Sequence, residues 1–388
     1  MSSSYKLPII VDLGSSEIKA GFSGEDFPKV RFPNIIGDLK NKKTHNLFKN
    51  VQKNRYIGEE CGNLVDNLDI RLAINKGIFT NEDDIFIIFS HMYKKLGINS
   101  EQEIKEHPLL ISEPLLNSES NREKIASILF EKMNVDSLIF GKQPLLSLFS
   151  TSSTFGIILE SGDAITQSCV SYEGYSIPLS YLRYDFGGRE VTATLKKLLN
   201  RDRINPFSLN DFHLFNAIKE SQCYFQIKNT KEDVKDETVK DENENDIKCI
   251  TTNYILPDGN SIELKDEKIL APEILINPLF IGSENLSFQE MINNSINKVD
   301  INIRTKLYDS IFLSGGNTIF KGMTNILNYK LTELAPKGVK ISIHTSKNPQ
   351  LSCWVGGNII SSLSLFNKML VNKKDWDGDK NVLHSHTI

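Results

Sequence analysis

The sequence predicts an α/β fold built from two related halves. Short branched apolar runs closed by Gly, Pro or Asp alternate with amphipathic helical segments, the pattern of a buried sheet covered on both faces. One run-and-turn pattern occurs twice. IIVDLGSS at 9–16 and IILESGDA at 157–164 each give three branched apolar residues, a carboxylate, one further residue, a glycine and then a small polar or acidic residue, with the carboxylates Asp12 and Glu160 standing 148 positions apart (160 − 12). The 388 residues also exceed the roughly 250–300 at which a single core stops growing.

Composition narrows the class. Hydrophobic residues are 39% and charged residues 24% of the chain, an ordinary globular balance. No apolar stretch approaches the roughly 18 residues of a membrane span, and MSSSYKLPII has no signal-peptide core, so an intracellular protein without membrane association is expected. The five cysteines, Cys61, Cys169, Cys223, Cys249 and Cys353, show neither paired nor metal-site spacing and read as reduced, buried thiols. A net charge of −4 speaks against direct nucleic-acid binding by the chain as a whole. It conceals two opposed segments: KEDVKDETVKDENEND at 231–246, with eight acidic and three basic residues, and LKNKKTHNLFKNVQKNRY at 39–56, with six basic residues and no acid. Both read first as solvated loops, the second also as a contact for an acidic partner or a neighbouring subunit.

In chain order, PIIVDLG, PLLISEP, SLIFGK, FGIILESG and SIFLSGG read as buried strands, because each is brief, branched and closed by a turn residue. NREKIASILFEKM reads as a helix with Asn121 as N-cap and Ile125, Ile128 and Leu129 on one face. GREVTATLKKLLN spaces Val191, Leu195, Leu198 and Leu199 in the same way, and LNDFHLFNAIKESQCYF supplies a further helix.

The repeat carries chemistry. A buried strand ending in a carboxylate sets a negative charge at the mouth of a cleft, suited to a hydrated Mg²⁺. A glycine two residues on lets the backbone turn and direct consecutive N–H groups at phosphate oxygens. Each turn alone is ordinary; two in register, one from each half, would clamp a polyphosphate between them. A third turn, in SIFLSGGNTIFKGM, places Gly315 and Gly316 between a strand and a helix, where backbone can approach a phosphate or ribose.

These residues resemble the actin and actin-related protein family nearly end to end, from VDLGSSEIKAGFSGEDFPKVRFPNIIG through EHPLLISEPLLNSESNREKIASILFE, QPLLSLFS, ESGDAITQ, YEGYSIP and LSGGNTIFKGM to SCWVGGNIISSLSLF. The resemblance implies a bilobed, actin-like ATPase fold of two duplicated α/β domains around a nucleotide cleft. The first lobe would be 1–149 with a small insert at about 34–76, the second 150–352 with an insert at about 190–275, and 353–388 would return to the first lobe. ATP or ADP with Mg²⁺ or Ca²⁺ is the implied cofactor. By position, Asp12 and Glu160 would face the metal, Gly14, Ser15 and Ser16 form the first phosphate loop, and Gly162, Asp163 and Ala164 the second. Lys19 would add charge at the inner phosphates, and Gln143 would position the attacking water beside the interdomain hinge. Lys219, Glu220, Gly315, Gly316, Asn317 and Phe320 would line the adenosine pocket, although Lys219 and Glu220 alone make an ordinary helix pair, and Phe320 and Phe149 ordinary core.

Departures from the family are also legible. Glu160 stands in place of the usual Asp, Leu13 of a polar residue, Gln167 of a histidine that relays a proton, Gln350 of a basic residue near the adenine, and Lys76 of a histidine on the inner face. Nucleotide binding is expected with slow or absent hydrolysis, so the chain reads as a weak ATPase at most. SENLSFQEMINNS replaces the plug region, the basic stretch takes the place of the subunit-contact loop, and VLHSHTI reads as a frayed tail. The expectation is an ATP-binding actin-related subunit of a cytoplasmic, cytoskeletal assembly, with other actin-family or complex subunits as partners. An amphipathic helix would fit a groove near Phe149, Ile360, Leu363 and Met369. Two alternatives remain at this level: a nuclear subunit of a chromatin-remodelling assembly, and a stand-alone ATPase of the sugar kinase and chaperone superfamily.

Overall fold

Buried β-branched and leucine side chains favour the pleated backbone on both faces, and all five quoted runs are strands. The computed structural model describes residues 6–40, 54–199, 209–226, 251–256 and 259–388. The acidic run, most of the basic segment and Cys249 lie outside the described residues. The first sheet contains β1 (Ile9–Leu13), β2 (Glu17–Phe22), β3 (Val30–Pro33), β4 (Leu109–Glu113) and β5 (Ser137–Lys142). Its order is β3-β2-β1-β4-β5, with a short strand at Val371–Asn372 beyond β5. The second contains β6 (Gly156–Ser161), β7 (Thr166–Tyr172), β8 (Tyr175–Ser176), β9 (Ile311–Ser314) and β10 (Ile343–Thr345), in the order β8-β7-β6-β9-β10.

In both sheets, the first two neighbour pairs are antiparallel and the next two parallel. The repeated motif therefore marks a duplication of whole sheets. Register makes it residue by residue: Asp12 pairs with Lys19 and Glu160 with Gln167, seven positions on in each hairpin (19 − 12 and 167 − 160).

Each sheet is covered on both faces. Ile9 and Val11 join one apolar cluster with Ile85, Ile88 and Phe89, whereas Ile10 joins Leu145, Leu146 and Trp354 in another. In the second lobe, Ile157 and Leu159 pack with Val191 and Leu195, and Ile158 with Leu115 and Leu148 of the first. The joining helix α1 (Gln143–Phe149) follows β5 directly, α2 (Gly188–Leu199) and α3 (Leu209–Gln222) follow the second hairpin, and α4 (Ser352–Ser361) packs against α1. Each lobe also carries a small added sheet: three strands, Ile35–Leu39, Arg55–Ile57 and Leu68–Leu72, in the first, and the hairpin Thr252–Ile255 with Ser261–Leu264 in the second. No helix among the described residues is long and apolar enough to cross a membrane.

Two local expectations are corrected. The helix over Glu119–Ser127 is capped by Ser118, whose hydroxyl accepts from the Asn121 N–H at 3.2 Å; Asn121 lies inside the first turn and its amide donates to the Gly77 carbonyl. Nor is the C-terminal tail frayed. Val371–Asn372 covers only Ser137 and Leu138 of the outer edge of β5, and the free backbone beyond is paired by the tail. Ile388 N–H donates to the Phe140 carbonyl at 3.0 Å, Lys142 N–H donates to the Ile388 carbonyl at 3.1 Å, and Leu383 is fully buried. His384 sits between Arg122, 3.0 Å from Nδ1, and Glu123, 3.0 Å from Nε2.

Candidate functional site

The two hairpins end at one cleft. Asp12, at the end of β1, is buried; Ser112 Oγ donates to its Oδ1 at 2.8 Å and Lys19 Nζ lies 3.1 Å from Oδ2. Burial works against the Lys19 ammonium, but Asp12 and Glu17 outweigh it and hold its pKa above the ordinary lysine value. The second hairpin has the same geometry and different electrostatics. Opposite Glu160 stands an uncharged amide, Gln167, whose Nε2 donates to Oε2 at 3.0 Å, while Ser147 of α1 donates to Oε1 at 3.0 Å. Burial first, and the Asp12 charge second, push Glu160 from 4.5 up to about 7.

That shift has a measurable sign. The folded protein binds a proton at Glu160 that the unfolded chain releases near pH 4.5, so stability is lost as pH rises from about 4.5 to about 7. Thermal unfolding in EDTA is expected to show a falling midpoint across this window, and Glu160→Gln to flatten it; an unchanged slope in the variant would assign it elsewhere.

Backbone turns frame the carboxylates. In the first, a Cβ on Gly14 would stand 2.4 Å from the Glu17 carbonyl, so only glycine fits, and Asn34 Nδ2 donates to the Ser15 carbonyl at 2.9 Å. Ser15 is half-buried and Ser16 exposed. In the second, Gly162 N–H donates to the Ile165 carbonyl at 2.9 Å, and the start of α2 closes the turn from behind through Gly188 N–H to the Gly162 carbonyl, 2.9 Å, and Arg189 N–H to that of Asp163, 2.8 Å. Arg189 also pairs with the Asp163 carboxylate. Ala164 is buried beneath this turn.

The third turn closes against the second. Gly315 adopts φ +86°, and a Cβ there would lie 2.2 Å from the Ser161 carbonyl. Asn317 Nδ2 donates to the Gly162 carbonyl at 2.7 Å and to Ser161 Oγ at 2.9 Å. Gly316 faces open space, and Gly162 meets only the Ile165 carbonyl at 3.8 Å, so bare backbone borders the cleft at both.

The fold brings together Asp12, Lys19, Gln143 and Glu160 at one end, and Gly162, Asp163, Lys219, Gly315 and Asn317 at the other. Lys219 is buried, donates to the Gly188 carbonyl at 3.2 Å, and is lowered in pKa by that burial. Its neighbour Glu220 is exposed and accepts from Asn216 Nδ2 at 2.7 Å. Phe320 is 9% exposed, packs its ring edge-on to Phe225 at 6.0 Å, and turns its remaining surface to a cavity of about 370 Å³ bounded also by Thr318, Met323, Thr345 and Pro349. Phe149 is 9% exposed, a core residue.

Sequence reasoning missed Ser112, Ser147 and the inter-lobe arginines. A signal existed for Ser112: LLIS in β4 and IFLS in β9 end alike, and register sets Ser314 beside Glu160 as the hydrogen bond sets Ser112 beside Asp12. Ser314 Oγ donates to Ser147 Oγ at 3.1 Å. Arg183 has no such signal. It clasps the first lobe through the carbonyls of Lys76 at 2.8 Å and Leu115 at 3.0 Å, a contact set by three-dimensional closure alone.

Comparison with known proteins gives concordant results. The family model described as Actin matches residues 4–386. Centractin of Schizosaccharomyces pombe (strain 972 / ATCC 24843) is 36% identical over 376 residues, covering 97% of this chain and 96% of that protein.

Proposed function

The chain belongs to the actin family, and on that premise we propose that it is an ATP-binding actin-related subunit of a cytoplasmic cytoskeletal assembly, with slow hydrolysis. The observation that carries this reading is the asymmetry of the duplicated hairpins: Asp12 faces a lysine, Glu160 an amide. The residues fit a magnesium nucleotide. Two carboxylates and nearby hydroxyls offer hard oxygen donors, and the glycines of the turns leave bare backbone for phosphate to approach. Among the described residues, no group of three or more His, Cys, Asp or Glu side chains converges as a metal site, which suits a cation held largely by phosphate and water. When bound, Mg²⁺ would neutralise phosphate charge.

In this reading Asp12 and Glu160 would hold the hydrated cation. Gly14, Ser15 and Ser16 present the first set of N–H groups, Gly162, Asp163 and Ala164 the second, and Lys19 supports the inner phosphates through its charge. Lys219, Glu220, Gly315, Gly316, Asn317 and Phe320 border the nucleoside. Gln143 would position the attacking water, yet its Oε1 already accepts from Gln167 at 3.1 Å. With no histidine at position 167 and Glu160 lengthened by a methylene, proton transfer and water alignment are both weakened.

The apolar surface at the end of α4 supports a partner reading. Leu363 is 52% exposed beside the half-buried Ile360 and Met369, an apolar strip suited to an amphipathic helix of another subunit. Nucleotide extracted from the purified protein, followed by phosphate release with and without Mg²⁺, tests the proposal. Retained ATP released as phosphate over hours is the expected result, and Glu160→Asp is expected to speed release by about tenfold. A folded protein that holds no nucleotide, or turnover in seconds, would overturn it.

A further inference from the structure

We propose that Gln167 is an inter-lobe brace: its side-chain amide fastens the two lobes across the cleft, fixes the orientation of Gln143, and sets how slowly bound nucleotide leaves. The inference rests on the nucleotide reading only for its last clause.

Gln167 is buried on β7 of the second lobe and spends both amide hydrogens and its oxygen on protein partners. Leu115 N–H, of the first lobe, donates to Oε1 at 2.8 Å. Nε2 donates to Gln143 Oε1 at 3.1 Å and to Glu160 Oε2 at 3.0 Å. One side chain thus binds a first-lobe backbone, the first residue of the joining helix and the second-lobe carboxylate.

The direction of every bond in this chain is forced. Leu115 N–H can only donate, so oxygen must face it and the amide nitrogen must face Gln143 and Glu160. Further along, Asp12 accepts from Ser112 Oγ at 2.8 Å, and Ser112 Oγ accepts from Gln143 Nε2 at 3.2 Å and from Leu13 N–H at 2.9 Å. Gln143 must therefore turn its own oxygen toward Gln167. A flip of Gln167 would set donor against donor at Leu115 and acceptor against acceptor at Gln143 and Glu160, and a flip of Gln143 would set donor against donor at Gln167 and acceptor against acceptor at Ser112. Anchored by a backbone donor at one end and the Asp12 carboxylate at the other, the chain has one arrangement, and it exists only when the lobes are closed. Arg183 and Arg189 clasp the same mouth from the second lobe, but through the Lys76 and Leu115 carbonyls and Asn75, without touching Gln143 or Glu160. Gln167 alone among these joins closure to the residues at the carboxylates. It acts through Gln143 and Glu160, as a positioning residue.

The test is release of a fluorescent ATP analogue from wild type, Gln167→Ala, Gln143→Ala and the double variant, with X-ray scattering of each without nucleotide. Loss of the bridging donors is expected to speed release about tenfold, and the double variant to release no faster than the faster single one, because both break one chain. Gln167→Met, similar in length but without the donors and adding no charge beside Glu160, should behave like Gln167→Ala and serves if the latter does not fold. Release within twofold of wild type, or effects that multiply, overturns the brace. Should wild type hold no analogue, the nucleotide reading falls and scattering decides the brace: a larger radius of gyration in the Gln167 variants supports it, an equal one removes it.

Discussion

Asp12→Ala should lose bound nucleotide and also lower the stability of the nucleotide-free protein, two effects that separate in measurement. The first follows from the loss of one of the two carboxylates that face the cation, and should weaken retention on the order of 10- to 100-fold. The second arises from what Asp12 leaves behind. The Lys19 side chain is only 11% exposed and forms its ion pair with Asp12, so the alanine variant strands a buried ammonium whose pKa the pair had raised. Breaking such a pair from one side costs about 3–5 kcal/mol. Asp12→Asn keeps one acceptor oxygen, enough for Ser112 or Lys19 but not both, while removing the charge, and should retain more stability than alanine with a comparable loss of nucleotide. Thermal unfolding in EDTA reads the first comparison, and nucleotide remaining after gel filtration the second. Equal midpoints for wild type and alanine would mean that Lys19 is solvated or paired in another way.

The same pair explains why the second hairpin is chemically unlike the first. With a lysine opposite, Asp12 stays with a cationic partner; Glu160, with the neutral Gln167 opposite, is raised to about 7 by burial first and the Asp12 charge second. Its extra methylene carries the carboxylate to Ser147 on the joining helix. The fold has kept the shape of the repeat and changed its charge.

Much of this was legible in the sequence because it is written in local patterns. Branched runs closed by turn residues located the five strands, and the spacing of Asp12 and Glu160 revealed the duplication that sheet order and register now display. The glycine turns were legible as well, since Gly14 and Gly315 sit where a side chain would collide with backbone. What escaped was set by distance in the chain. Ser118 rather than Asn121 caps its helix because the cap depends on backbone geometry one turn upstream. The tail docks because an edge strand more than two hundred residues earlier is left half paired. Gln167 could be noticed as a missing histidine, but not as a donor to Gln143, until two lobes were closed around it.

Gly356→Ala is the substitution away from the cleft expected to do most harm. Of the two glycines in WVGGNII, Gly357 would bring its Cβ to 2.8 Å from a methyl of Ile10, which can give; Gly356 would bring it to 1.6 Å from the Leu146 carbonyl, which is helix backbone and cannot. Helix α4 therefore lies against α1 as closely as it does only because position 356 has no side chain. Restoring a normal contact requires the helices to part by more than an ångström along a buried, close-packed interface, and the cost should exceed about 3 kcal/mol. The consequence reaches the cleft, because α1 begins with Gln143 and carries Ser147, the donor to Glu160. A helix moved away from α4 takes both along, so the variant should unfold at lower temperature and release nucleotide faster although no residue at the cleft has changed. Gly62→Ala provides the control: a Cβ there meets nothing within 4 Å, and its stability should match or slightly exceed wild type. If Gly356→Ala instead unfolds with the control, α4 slides without cost, and the joining helix is not held in place by its closest neighbour.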